Sequence, residues 1–187
     1  DNEDSHYVPR PSKRNKPQGG DMAYIESNIQ RQMNTYKGIR ESGASVEDCV
    51  RDVYARAAPQ TTCWYIGKVA FTSGTGVTEQ QAVAYQLNLI EEHATRLRPV
   101  ELGRAFGRIE FYTAPGDSEL DVSNVSNQIA LTRMPRYAEG CENVSLKEAG
   151  FFCEVVTNQG IGFGVERALD GSCLPMLNDE EETTSGW

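Results

Sequence analysis

The chain has 187 residues, 39% hydrophobic and 24% charged, with a formal net charge of −9. That length suffices for one domain with a sizeable core. The acidic balance excludes a general nucleic-acid binder, which needs a positive footprint to displace counterions, and it disfavours attraction to an anionic membrane surface. No apolar run reaches the roughly 20 residues that span a bilayer.

Residues 1–20 (DNEDSHYVPRPSKRNKPQGG) lack hydrophobic periodicity. Pro9, Pro11 and Pro17 oppose regular pairing, and Arg10, Lys13, Arg14 and Lys16 form a basic cluster, so the segment reads as an extended arm. The sequence starts at Asp1 rather than Met, which reads as a removed targeting peptide or a trimmed chain.

Asp21 is a candidate helix N-cap, and Ile25, Ile29, Met33, Tyr36 and Ile39 follow at helical spacing. Ser45 with Asp48 imitates a capping box, which predicts a second helix through Val46, Val50, Val53 and Tyr54, ending before Pro59. Cys63 to Phe71 (CWYIGKVAF) is rich in aromatic and β-branched residues and reads as a strand. Thr78 with Gln81 is a good capping box. It opens a long helix from Glu79 to Leu97, with Val83, Leu87, Ile90 and Leu97 inward and Pro99 closing it.

Strands are predicted over 107–113, 127–134, 150–157 and 161–169, with a turn at APGD (114–117) and a short hairpin connection at 158–160. Residues 178–187 form an acidic tail ending at Trp187. The domain organisation is an arm over 1–20, one α+β domain over 21–177 and a tail over 178–187. The expected fold is a mostly antiparallel sheet of about five strands with helices packed on one face.

No constellation amounts to a catalytic set. Gly74-Thr75-Gly76 lies before a helix N-terminus, where backbone N–H groups can cradle phosphate, but GxGxxG and GxxxxGK[ST] are both missing, so a plain connection is expected. Asp117, Glu119 and Asp121 alternate without the glycine and bidentate glutamate of a calcium loop, and a solvated loop is expected. His93 has no HExxH or GxSxG context and reads as structural. Arg96, Arg98 and Arg104 complement a helix dipole or make a basic interface spot. Cys63 and the other cysteines, Cys49, Cys141, Cys153 and Cys173, lack CxxC spacing and read as buried thiols, with one bridge left open. No catalytic residue, cofactor or metal ligand is therefore assigned.

The segments GDMAYIESNIQRQMNTYKGIRESG (20–43), CWYIGKVAF (63–71) and IEEHATRLRPVEL (90–102), the last leading into FGRIEFYTAPGDSELDV (106–122), resemble extrinsic stromal accessory subunits of diatom-type photosystem I. The resemblance implies a non-enzymatic subunit in the chloroplast, on the stromal face of the thylakoid membrane. It would stabilise or bridge neighbouring protein subunits and have no span of its own. The arms would then wrap a partner through Tyr7, Arg10, Lys13, Arg14, Lys16 and Trp187, against the alternative of solvated tails. Two further readings stay open. One is a ligand-binding or enzymatic α+β domain with a pocket near His93 and Arg96. The other is a secreted or lumenal glycoprotein, from the sequons at Asn124 and Asn143.

Overall fold

Met33, Tyr36 and Ile39 recur at helical spacing and are buried. They form the inner face of α1 (Met22–Glu41) in a computed structural model. The structure describes residues 22–123, 129–153, 155–157, 160–162, 171–173 and 176–178. The six arm residues assigned to partner binding, the Asp21 cap, the Asn124 sequon and residues 163–169 lie outside the described residues.

The second predicted helix is cut short. Only Val46–Cys49 forms a helical turn, α2, and Val50–Arg56 is strand β1. Ser45 holds the N-cap position but makes no side-chain capping bond. Val50, Val53 and Tyr54 keep helical spacing, but a strand buried on both faces needs no alternation. Ladders on both sides decide the matter: β1 pairs antiparallel with β2 (Cys63–Phe71) and with β3 (Glu110–Pro115). Those two ladders satisfy backbone groups that a short exposed helix would leave to water.

β4 (Ala130–Met134) adds to β3, and β5 (Ala149–Cys153) adds to the second half of β2. β6 (Val155–Thr157) and β7 (Gly160–Gly162) form the predicted hairpin as a separate pair. β8 (Ser172–Cys173) pairs with the first half of β2, and β9 (Met176–Asn178) runs parallel to β4. The order β5-β2-β1-β3-β4-β9 is thus antiparallel apart from its last pair. Three chain steps carry Cys173 to Met176, a reach of at most about 11 Å. The outer edges of β2 and β4 therefore lie close, and the sheet is curled on itself. Tyr54, Tyr65, Tyr112 and Leu131 pack inside the curl, each almost fully buried.

The other face carries the main core. The capping box at Thr78 forms as expected: Gln81 N donates to Thr78 Oγ1 at 3.1 Å and Thr78 N to Gln81 Oε1 at 3.0 Å. The helix it opens is interrupted at Gln86, giving α3 (Glu79–Tyr85) and α4 (Leu87–Leu97). Gln86 is buried, and its Nε2 donates to Gly150 O on β5. Val83, Leu87, Ile90 and Leu97 all face the core, with Val53, Ile66, Val69, Phe71, Phe111 and Phe151 of the sheet beneath them. Each such side chain contributes roughly 1.5–3 kcal/mol by leaving water. Pro99 closes α4 and begins α5 (Pro99–Leu102).

α1 lies along β5. Its backbone comes so close to Gly150 that a Cβ there would sit 2.4 Å from Tyr36 N and 2.6 Å from Gln32 O. Gly150→Ala should therefore lift α1 from the sheet and cost about 2 kcal/mol or more. Urea denaturation of the variant checks this, with Gly38→Ala as control, since a Cβ at Gly38 meets nothing within 4 Å.

Candidate functional site

A β-bulge shapes the densest polar cluster among the described residues. Val53 pairs with Gly67 and Tyr54 with Tyr65, which leaves Ile66 unpaired between them. Beyond it, alternation resumes with the opposite parity. Lys68 consequently shares the inner face with Cys63 and Tyr65, two positions that plain alternation would place across the sheet from it. Asp52 stands directly opposite Lys68 on β1.

The Lys68 ammonium donates to Asp52 Oδ1 at 3.0 Å, Asp117 Oδ1 at 2.7 Å and Glu119 Oε2 at 2.8 Å. An ammonium has three protons, so its donor capacity is fully used. Asp52 also accepts from Asp117 N at 3.1 Å and Ser118 N at 2.9 Å. The turn that delivers these groups is tight. Asp117 takes φ 60, and a Cβ at Gly116 would lie 2.7 Å from Val50 O. Glu119 opens α6 (Glu119–Ser123), and Ser118 O accepts its first bond from Val122 N. From α1, the Arg40 guanidinium forks onto both Asp117 oxygens at 3.0 Å, and Arg40 Nη1 also donates to Tyr36 Oη at 3.2 Å. Two strands, a turn and two helices thus meet at one ammonium.

Side-chain exposure is 0% for Asp52, 5% for Lys68, 9% for Glu119 and 42% for Asp117. Burial raises Asp52 to about 7, with Lys68 opposing the rise and Glu119 adding to it. Burial disfavours the Lys68 charge, yet Asp52 and the hydrogen bonds that Lys68 gives to Asp117 and Glu119 hold its pKa above the ordinary value. Asp117 would rise with burial, but Arg40 and then Lys68 hold it below the usual carboxylate range. Burial lifts Tyr36 to about 12.

Asp52, Asp117 and Glu119 bring carboxylate oxygens within 4.8 Å of one another, a spacing that could hold a divalent cation. The Lys68 ammonium already stands at their meeting point, hydrogen-bonded to each. A protonated, fully engaged lysine is neither a nucleophile nor a base. What this arrangement can do is hold elements together.

The expectation of a solvated loop at Asp117 and Glu119 is thereby corrected. Their partners Lys68 and Asp52 lie 49 to 67 positions away in sequence, and no local signal announces the encounter. A lysine in the middle of an otherwise apolar strand was the one trace available.

The other residues singled out in the sequence fall elsewhere. His93 is core: it is 4% exposed, its ring stands edge-on to Phe151, and its Nε2 has no partner among the described residues. Gly74 and Gly76 adopt φ +90 and +85 in a connection where the Thr72 and Thr75 hydroxyls bond each other at 2.8 Å. Arg98 stacks on Trp64 at 4.5 Å, Arg96 is half-buried and Arg104 is exposed. Asn143 is exposed on a 3-10 turn, Cys141–Asn143. The four cysteines 49, 63, 141 and 153 are buried thiols and Cys173 is half-buried. A second buried carboxylate was also missed. Glu91 on α4 takes a forked contact from Arg136 at 2.6 and 3.0 Å and a bond from Gly107 N at 2.9 Å, tying the helix to the approach to β3.

No family model, curated protein or solved structure matches the chain. No helix of the described residues is long and apolar enough to cross a membrane.

Two predictions test these assignments. Lys68→Met strands the Asp52 and Glu119 carboxylates in the interior and should cost about 3 kcal/mol or more at pH 7. Burial already raises Asp52, and losing Lys68 removes what opposes that rise, so the deficit should shrink as pH falls toward 5 and Asp52 takes up a proton. Adding Asp52→Asn and Glu119→Gln to Lys68→Met should recover part of the loss at pH 7. Chemical denaturation at both pH values gives the comparison.

His93 is pushed by burial, with help from Arg96, from 6.5 down to about 4. Its folded pKa lies below its unfolded one, so its contribution is whole above about 6.5 and is lost as pH falls toward about 4. Relative to His93→Leu, the wild type should lose about 3 kcal/mol across that window. Equal pH slopes for the two proteins would contradict the assignment.

Proposed function

We propose that the chain is a non-catalytic accessory subunit of a large protein assembly, and that it binds a partner through the corner built by α5 and the 3-10 turn Gly103–Ala105. One observation carries this reading. Val100 is 86% exposed there, and Arg104 and Arg108, four and eight positions on, are exposed too, on a chain of net charge −9. An apolar residue edged by arginines suits an acidic partner surface with a small apolar recess. The nearby Arg98 stacks on Trp64 instead.

The state of the polar groups supports the same reading. Lys68 has no proton left to give a substrate, and His93 is enclosed by the core. The sequence resemblance further suggests the assembly: a photosystem I of the diatom type, with this chain on its stromal side.

The experiment has two arms. Thylakoids of a red-lineage alga containing this chain are solubilised in mild detergent and sedimented on a gradient. Co-migration with photosystem I is expected, and a chain that stays at the top of the gradient contradicts the proposed assembly. Rebinding of purified chain to the stripped complex should weaken about tenfold for Arg104→Glu with Arg108→Glu, and the wild type should weaken with added salt. Unchanged rebinding would refute the corner as the contact surface while leaving the assembly intact.

A further inference from the structure

Cys63 opens β2 and Cys173 ends β8, and the antiparallel register sets them directly opposite each other. The phase of that ladder follows from one bond. Tyr65 N donates to Gly171 O at 2.8 Å, so Tyr65 and Gly171 form a hydrogen-bonded pair. Such pairs alternate with wide ones along an antiparallel ladder. Trp64 and Ser172 are then the wide pair, and Cys63 and Cys173 are again a bonded pair. Residues so placed have Cα atoms about 5.5 Å apart, within the span of about 4.4–6.8 Å that a disulfide bridges.

The side chains also share a face. Cys173 packs against the cluster of Tyr54, Tyr65, Tyr112 and Leu131 in which Cys63 is buried. Access is unequal: Cys63 is 0% exposed and Cys173 is half-buried, so a reagent reaches Cys173 first. The other three cysteines have no such position. Cys49 belongs to the cluster beside α1, Cys153 faces the α3–α4 side, and Cys141 lies on the 3-10 turn.

We propose that Cys63 and Cys173 form a disulfide with a low-molecular-weight disulfide as oxidant, fastening the segment that closes the curled sheet onto β2. The Cys173 thiolate attacks one sulfur of glutathione disulfide, whose S–S bond breaks and releases one glutathione thiolate. The Cys63 thiolate then attacks the Cys173 sulfur of the mixed disulfide and expels the second glutathione. Two cysteine thiols are oxidised to one disulfide, one glutathione disulfide is reduced to two thiols, and the two cysteine protons pass to the glutathiones. Burial pushes both cysteines up to about 12, so the exchange is slow at neutral pH and quickens as pH rises.

β8 is paired with β2 over only two residues, and the same stretch of chain runs on to β9 at the far edge. A covalent tie at this seam opposes opening of the curl, whereas the reduced form relies on a short ladder.

The test is native full-length chain incubated with glutathione disulfide at pH 7 and pH 9, then denatured, alkylated and peptide-mapped by mass spectrometry. The expected product has lost two of its five thiols and two hydrogens, carries a Cys63–Cys173 crosslinked peptide, and forms faster at pH 9. Thermal unfolding of the oxidised form should occur at a higher temperature. Cys173→Ser should block the crosslink, while Cys49→Ser should leave it in place. Five intact thiols after the alkaline incubation, an unresolved glutathione adduct on Cys173, or a native crosslink between any other pair would overturn the proposal. Because the decisive mapping uses wild-type protein, it does not depend on any variant folding.

Discussion

Burying an ammonium on the inside of a sheet is unfavourable unless each of its protons finds an acceptor, and Lys68 meets that condition by gathering chain from three directions. Asp52 comes from the neighbouring strand, Asp117 from the turn after β3 and Glu119 from the start of α6. Asp117 in turn takes the Arg40 fork from α1. Without the lysine, the carboxylates would be unpaired charges in a low dielectric. Without the carboxylates, the lysine could not remain in β2. The tight turn at 116–118, the start of α6 and the C-terminal end of α1 are tied together through this mutual requirement.

The bulge at Ile66 is what makes the arrangement possible. One unpaired residue switches the parity of β2, so the strand gives Tyr65 and Lys68 to the inner face and Ile66, Val69 and Phe71 to the α3–α4 side. The same twist-enhancing irregularity is consistent with a sheet that curls until the segment through β8 and β9 touches both β2 and β4. The interior of that curl is aromatic, and the Lys68 cluster lies on the same face. The opposite face is the ordinary one, where α3 and α4 cover an aliphatic and aromatic core.

The polar groups therefore divide by role. Several charged groups within the fold pair with one another: Lys68 with its carboxylates, Glu91 with Arg136, and Arg56 with Glu110. Arg104 and Arg108 are exposed near the α5 corner, where Val100 is bare. The proposed recognition role rests on that corner. The seam at Cys63 and Cys173 stands out, since its two groups lie opposite each other without being joined.

Local chemistry made a good part of the fold legible. The α1 periodicity, the Thr78–Gln81 capping box, the stop at Pro99, the strand CWYIGKVAF and the β6–β7 hairpin all depend on neighbours within a few positions. The α+β class followed from them. What sequence could not settle were choices between equally local options. Val50 to Tyr54 fits a helix or a strand, and only ladders to β2 and β3 select the strand. Asp117 and Glu119 look like a solvated loop until Lys68 is brought beneath them. Cys63 and Cys173 are 110 positions apart and become neighbours only through the register of β8. Side-chain spacing fixes what a residue's near neighbours are, but the identity of its distant partners depends on how the sheet curls, and that is a property of the whole packed chain.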